Sequence, residues 1–119
     1  MIDTDAPLEV ECPCEHVALV RYDRPDSMNA YNETLLRGAV EMFYQLADRD
    51  DVRAIVLTGA GDAFCAGVDL DEMPLTPDMD FAEYKAGLGL FQDIVRTLRS
   101  IETPVVAAIN GYALGAGCD

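Results

Sequence analysis

The chain has 119 residues, 22 acidic against 8 basic side chains, and a formal net charge of −14. Half of the residues are hydrophobic, enough for one domain-sized core and too many for wholesale disorder, while the surplus of carboxylates excludes a broad phosphate-binding face for nucleic acid. No apolar run approaches bilayer length and Met1-Ile2-Asp3-Thr4-Asp5 has neither the basic start nor the apolar stretch of an export signal, so the expectation is a soluble cytoplasmic protein with no membrane or nucleic-acid partner.

Residues 8–12, Leu-Glu-Val-Glu-Cys, alternate apolar and polar and read as a strand with one wet face. Residues 13–16 make a turn, residues 17–22 its hairpin partner, and residues 24–29 a loop. Leu36, Ala39, Val40, Phe43, Leu46 and Ala47 recur at helical spacing, which predicts a helix over 33–47 with Asn32 as its N-cap. The short apolar run 54–57 suits a strand buried on both faces. Phe81, Tyr84, Leu88, Phe91, Val95 and Leu98 form a second helical stripe, opened by Asp80 and Glu83 in capping-box spacing. Gly87 and Gly89 weaken that helix by about 1 kcal/mol each against alanine, so its first half is expected to be loose. Pro104 stops it, and residues 105–109 read as a second buried strand. Strand–helix–strand–helix–strand order implies an α/β fold with a parallel sheet. Cys118 and Asp119 look like the opening of a third helix, which suggests one partial domain over residues 1–119, the N-terminal portion of something longer.

Two features of composition leave alternatives open. Self-repulsion among so many acids costs stability at low salt and is screened at high salt, which fits either a protein suited to a salty interior or an ordinary acidic one. Cys12, Cys14, Cys65 and Cys118 are expected to be free thiols, since no export signal accompanies them. Cys12, Cys14 and His16 match no common zinc spacing, so no metal site is expected.

Two glycine-rich segments, residues 59–70 and 110–117, each follow a buried strand. In parallel sheets ligands bind beyond the carboxyl ends of strands, so both loops would converge on one site if the strands are neighbours. Glycine lets the backbone approach a ligand closely, which points to backbone N–H donation rather than side-chain chemistry. The rivals fit poorly. The only lysine, Lys85, is outside any P-loop pattern. Phe64 occupies the third glycine position of a dinucleotide fingerprint, and no Gly-x-Ser-x-Gly elbow is present. Cys65 and Cys118 have no evident histidine near them and read as packed thiols. Asp119, about one helical turn after Ala116, is the carboxylate best placed to act, and equally reads as a solvated helix acid stabilised by the dipole. Asp69, Asp71, Glu72, Asp78 and Asp80 read as a solvated loop without the ligand order of a calcium site.

Residues 24–30, Ile55-Val56-Leu57-Thr58-Gly59, Phe64-Cys65-Ala66-Gly67-Val68-Asp69-Leu70 and the run from Pro104 to Asp119 together resemble the N-terminal half of the crotonase superfamily, the enoyl-CoA hydratase/isomerase group. The resemblance implies a spiral of repeated ββα turns and an acyl-CoA thioester as substrate, with no cofactor other than the coenzyme A that the substrate carries. It matches the backbone N–H groups of Val68 and Ala116 to an oxyanion hole, where one donor is worth on the order of 3 kcal/mol. Ala66, Gly67, Val68, Asp69, Leu70 and Asp71, with Gly115 and Ala116, would line the coenzyme A path, and the loop 24–30 would flank it. Asp119 aligns with the first of two acids of the hydratases, where glutamate is usual; aspartate there is similar to the dienoyl-CoA isomerases of the group. The second acid, and the later helices that close the site and build homotrimers or dimers of trimers, fall beyond Asp119 in the family pattern. The implied reaction is hydration of a trans-2-enoyl-CoA through an enolate, with double-bond isomerisation as one alternative and a non-catalytic acyl-CoA-binding or split-gene half as another. The 119-residue chain alone is expected to be inactive or nearly so, having at most one of the two acids.

Overall fold

The computed structural model describes residues 2–73 and 76–119. Pro74 and Leu75, inside the acidic loop expected between Asp69 and Asp80, lie outside the described residues, as does Met1. The chain runs β1 (Leu8–Cys14), β2 (Val17–Tyr22), a 3-10 turn (Pro25–Ser27), α1 (Glu33–Ala47), β3 (Ala54–Gly59), β4 (Ala63–Cys65), α2 (Phe81–Ser100), β5 (Val105–Ala107), β6 (Tyr112–Ala113) and a second 3-10 turn (Gly115–Gly117). The main sheet has the order β1-β2-β3-β5. The β1–β2 hairpin is antiparallel, with Leu8 opposite Tyr22, and its reversal is made by His16 at φ 67°. From β2 onward the pairing is parallel, as the alternation of strands and helices requires. Among the described residues no helix is long and apolar enough to cross a membrane.

The core lies between this sheet and α1. Val10, Ala18, Val20, Tyr22 and Ile55 are fully buried on one sheet face, against Leu35, Leu36, Ala39 and Phe43 of the helix. Asn32 caps α1 as expected, its Oδ1 accepting from the Leu35 N–H at 2.9 Å. Burying a large apolar side chain is worth about 2 kcal/mol, and α1 buries six residues. Helix α2 buries only Ile94 and Thr97.

Three expectations are corrected here. Burial along β3 alternates, with Ile55 and Leu57 buried and Val56 half-buried, so the strand is not covered equally on both faces. β5 is only three residues long and mostly exposed, with Val105 half-buried and Val106 more than half accessible, as is Ile109 just beyond it. It takes the sheet edge, and an apolar run at an edge reads the same in sequence as one in the middle. Helix α2 is continuous through Gly87 and Gly89, yet the N-terminal half of its apolar stripe is not packed: Phe81 is 78% and Tyr84 43% exposed. Its cap holds, with Asp80 Oδ1 accepting from the Glu83 N–H at 2.8 Å.

One element was not foreseen. β4 and β6 form a separate two-stranded parallel sheet, with Ala63 opposite Tyr112 and Cys65 opposite Ala113. Both strands are too short to show a period in sequence. This small sheet joins the two glycine-rich segments directly.

Candidate active site

The loops beyond β3 and β5 are fixed by two asparagines. Asn29 is fully buried and sits at φ 54°, a left-handed conformation that asparagine tolerates. Its Nδ2 donates to the carbonyls of Ala60 at 2.9 Å and Ala63 at 2.8 Å, while its Oδ1 accepts from the Arg24 N–H at 2.8 Å. Asn110 approaches the same carbonyl: its Nδ2 donates to Ala63 at 3.1 Å and to Gly61 at 3.0 Å, and its Oδ1 accepts from the Gly59 N–H at 3.1 Å. The Ala63 oxygen thus receives one donor from each side. β4, and everything that follows it, starts from a pinned point.

After β4 the backbone makes a short bridge to Tyr31. The Tyr31 N–H donates to Gly67 O at 2.7 Å, and the Asp69 N–H donates to Tyr31 O at 2.9 Å. In such a parallel bridge the residue between, Val68, turns its own N–H away from the partner. Across the small sheet, the Leu114 N–H donates to Cys65 O at 3.0 Å. The 3-10 turn that follows opens with a bond from the Gly117 N–H to Leu114 O, so the N–H groups of Gly115 and Ala116 precede its first donor and have no partner within it.

Gly67 is what allows the two backbones to approach. It has φ 95°, and a Cβ placed there would lie 2.8 Å from Leu114 O and 3.4 Å from Ala116 N. Any other residue would combine a left-handed strain with a collision against the opposite turn.

Val68, Ala116 and Asp119 border one cavity of about 640 Å³. This is the size range of small-molecule sites. Its apolar lining comes from Met73, Met79, Leu88, Leu90 and Phe91, and Glu33, Arg37, Glu72 and Glu83 also border it. Arg37 is tied to Glu33 through its Nε at 2.8 Å. Bordering one cavity are thus two residues from separate turns, Val68 and Ala116, one carboxylate two residues beyond the second turn, and an oily wall. Such a set can hold a developing oxyanion and move or orient a proton beside it.

Asp69 corrects another expectation. It is not a solvated loop acid: only 7% of it is exposed. Its Oδ2 accepts from Arg24 Nη2 at 2.9 Å, and its Oδ1 accepts from the N–H groups of Asp71 and Glu72, both at 3.0 Å. The Glu72 N–H, with Arg24 and the Asp71 N–H adding to it, holds this carboxyl below the usual aspartate range. Arg24 also donates to Glu72 Oε2 and to the carbonyl of Ala30. One guanidinium thus ties the loop 24–30 to the segment that carries Val68. Below it, the buried Tyr22 and Tyr31 hydroxyls are 3.0 Å apart, and burial pushes both phenols up, so they serve as neutral partners. Burial also raises the Cys65 thiol, which argues against a thiolate nucleophile there.

Of the residues expected to bind coenzyme A, Val68 and Ala116 border the cavity, while Ala66, Gly67 and Gly115 are not among its lining residues. Leu70 is 73% exposed and Asp71 is exposed, so both are free to meet a ligand outside the cavity. The Asp69 side chain is engaged within the protein. The structural roles of Asn29, Asn110, Arg24 and Tyr31 had no signature in the sequence. Asp69 did have one: an aspartate two and three residues before free N–H groups is the pattern of an Asx turn.

A family model described as enoyl-CoA hydratase/isomerase matches residues 14–119. The chain is 40% identical over 102 residues to 4-chlorobenzoyl coenzyme A dehalogenase-2 of Arthrobacter sp, covering 85% of this chain and 37% of that protein. It is 38% identical to the short-chain-enoyl-CoA hydratase of Clostridium acetobutylicum, covering 87% and 39%. Among solved structures, enoyl-CoA hydratase of Mycobacterium smegmatis superposes with a TM-score of 0.86 at 32% identity, covering 96% of this chain and 44% of that one. Enoyl-CoA hydratase from Bacillus anthracis gives 0.85 at 30% identity, covering 93% and 42%. The chain spans about two fifths of the length of the curated relatives it matches.

Proposed function

The chain belongs to the enoyl-CoA hydratase/isomerase family, and from that premise we propose that it acts on an acyl-CoA thioester, hydrating a trans-2-enoyl group through an enolate. The observation that carries this reading is that Val68, Ala116 and Asp119 border the same cavity, with Gly67 holding the two turns in contact. In the proposed reaction the thioester oxygen sits between the Val68 and Ala116 N–H groups and gains negative charge as water adds to the double bond. Donors fixed in place before the charge develops cost no reorganisation when it does. Asp119 orients the water or carries a proton. The addition is redox-neutral, so no redox cofactor is part of the proposal. The protein would work in the cytoplasm, where its free thiols stay reduced, and trimer assembly belongs to the same reading.

The test is difference infrared spectroscopy of crotonyl-CoA bound to the purified chain, followed by a hydration assay with a complementary C-terminal half added, since the chain alone is expected to be nearly inactive. The thioester carbonyl band should fall to lower frequency on binding, and Gly67→Ala should abolish that fall. A bound thioester whose carbonyl band does not move would defeat the oxyanion assignment.

The shorter reach of Asp119, where glutamate is usual, favours a second reading as a double-bond isomerase. Water-dependent loss of the conjugated enoyl chromophore supports the hydratase; gain of conjugation from an unconjugated enoyl thioester supports the isomerase. Binding with neither reaction, even after a complementary C-terminal half is added, supports a non-catalytic acyl-CoA-binding module.

A further inference from the structure

Helix α2 carries two glycines that its backbone does not call for. Neither Gly87 nor Gly89 has a left-handed φ, and no described atom lies within 4 Å of a Cβ built on either. Each weakens the helix relative to alanine. The two differ in where they face. Six residues of the helix border the cavity: Glu83, Ala86, Gly87, Leu90 and Phe91 at the i, i+3, i+4, i+7, i+8 spacing of one helix face, with Leu88 at its margin. Gly87 is the middle of that face. Gly89, two residues on, falls on the other side of the helix and does not border the cavity.

We infer that Gly87 sets the upper size of the acyl group the cavity accepts, its missing side chain leaving room for tails longer than crotonyl. This rests on the acyl-CoA reading above and names a substrate class within it. Met73, Met79, Leu90 and Phe91 border the same cavity as Gly87, and such surfaces suit hydrocarbon and reward each added methylene. A bulkier residue at 87 would occupy that room while touching no described protein atom at its Cβ. The cost of filling it therefore falls on the ligand rather than on the fold.

The experiment measures dissociation constants of crotonyl-CoA and octenoyl-CoA by calorimetry on the purified chain, for the wild type, Gly87→Leu, Gly87→Ala and Gly89→Leu. Gly87→Leu should weaken octenoyl-CoA by about tenfold or more and crotonyl-CoA by less than about twofold, the scale of size discrimination in apolar pockets. Gly89→Leu should change neither. Gly87→Ala, which raises the melting temperature, should weaken octenoyl-CoA by a smaller factor; it decides the matter if Gly87→Leu fails to fold by circular dichroism. Equal loss of both ligands, no loss of either, or the same selectivity in Gly89→Leu overturns the role of Gly87 and leaves the acyl-CoA reading standing. A wild-type chain that binds neither thioester overturns both together.

Discussion

The two walls of the cavity are built in opposite ways. On the strand-end wall the short segments are cross-tied: Asn29 and Asn110 converge on one carbonyl, and Arg24 and Asp69 form a largely buried ion pair. The helical wall, the first half of α2, buries no residue among the core and leaves Phe81 and Tyr84 exposed. The difference teaches where precision is required. Backbone donors stabilise an oxyanion only if held to a fraction of an ångström, and in the proposed function the hydrogen-bonded wall is the one that would carry them. A wall that only excludes water and meets hydrocarbon can be less firmly held.

The contrast can be broken most severely at Arg24. Arg24→Met leaves the Asp69 carboxylate buried without its cation and should cost about 3 kcal/mol in urea unfolding. Asp69→Asn tests the same tie through pH. Its lowered native pKa means that the ionised form favours folding above the ordinary aspartate value of about 4, and that this contribution is lost as pH falls through the native value. The stability gap between wild type and Asp69→Asn should therefore be full at neutral pH and close in acid.

Asn29→Ala comes next, at about 2 kcal/mol, because it removes the side-chain partner of the Ala60 carbonyl and the Arg24 N–H and leaves the Ala63 carbonyl with Asn110 alone. Gly67→Ala should cost about 1–2 kcal/mol from its left-handed φ, but its larger effect should be on the bound carbonyl band, since the new Cβ would meet Leu114 O. On the helical wall the sign reverses. Gly89→Ala should raise stability by about 1 kcal/mol, measured by thermal unfolding, with no change in thioester affinity. Smallest is the response to salt. Screening of the net charge of −14 should raise the melting temperature, while the cost of Asp69→Asn should barely change, because buried charges are screened far less than exposed ones. A melting temperature that is flat or falls with salt removes the salt-adapted reading.

Much of this architecture was legible before any coordinates. The helix over 33–47 and its Asn32 cap follow from apolar periodicity and local hydrogen bonding, both of which act within a few residues. The parallel pairing of the strands follows from their alternation with helices. The resemblance to one family, from about Leu8 to Asp119, rested most on two glycine-rich motifs and their separation, which are read directly from the chain. What failed were statements about surroundings. Val105 to Ile109 is as apolar as a buried strand yet lies at an edge, and Phe81 and Tyr84 are in phase with a core face that does not reach them.

By itself, then, the sequence determined the elements that depend on neighbours three or four residues away: the caps, the helix faces, the turns and the order of crossing. Only the tertiary structure decided which distant groups meet. That Asp69 serves Arg24 rather than solvent, that Asn29 and Asn110 reach the same oxygen, and that Gly87 faces a cavity while Gly89 does not are facts of assembly. The physical reason is range: a helical turn or a cap is specified within the span of its own hydrogen bonds. A contact between residues thirty or more positions apart exists only once the intervening chain has packed, and no local pattern encodes it.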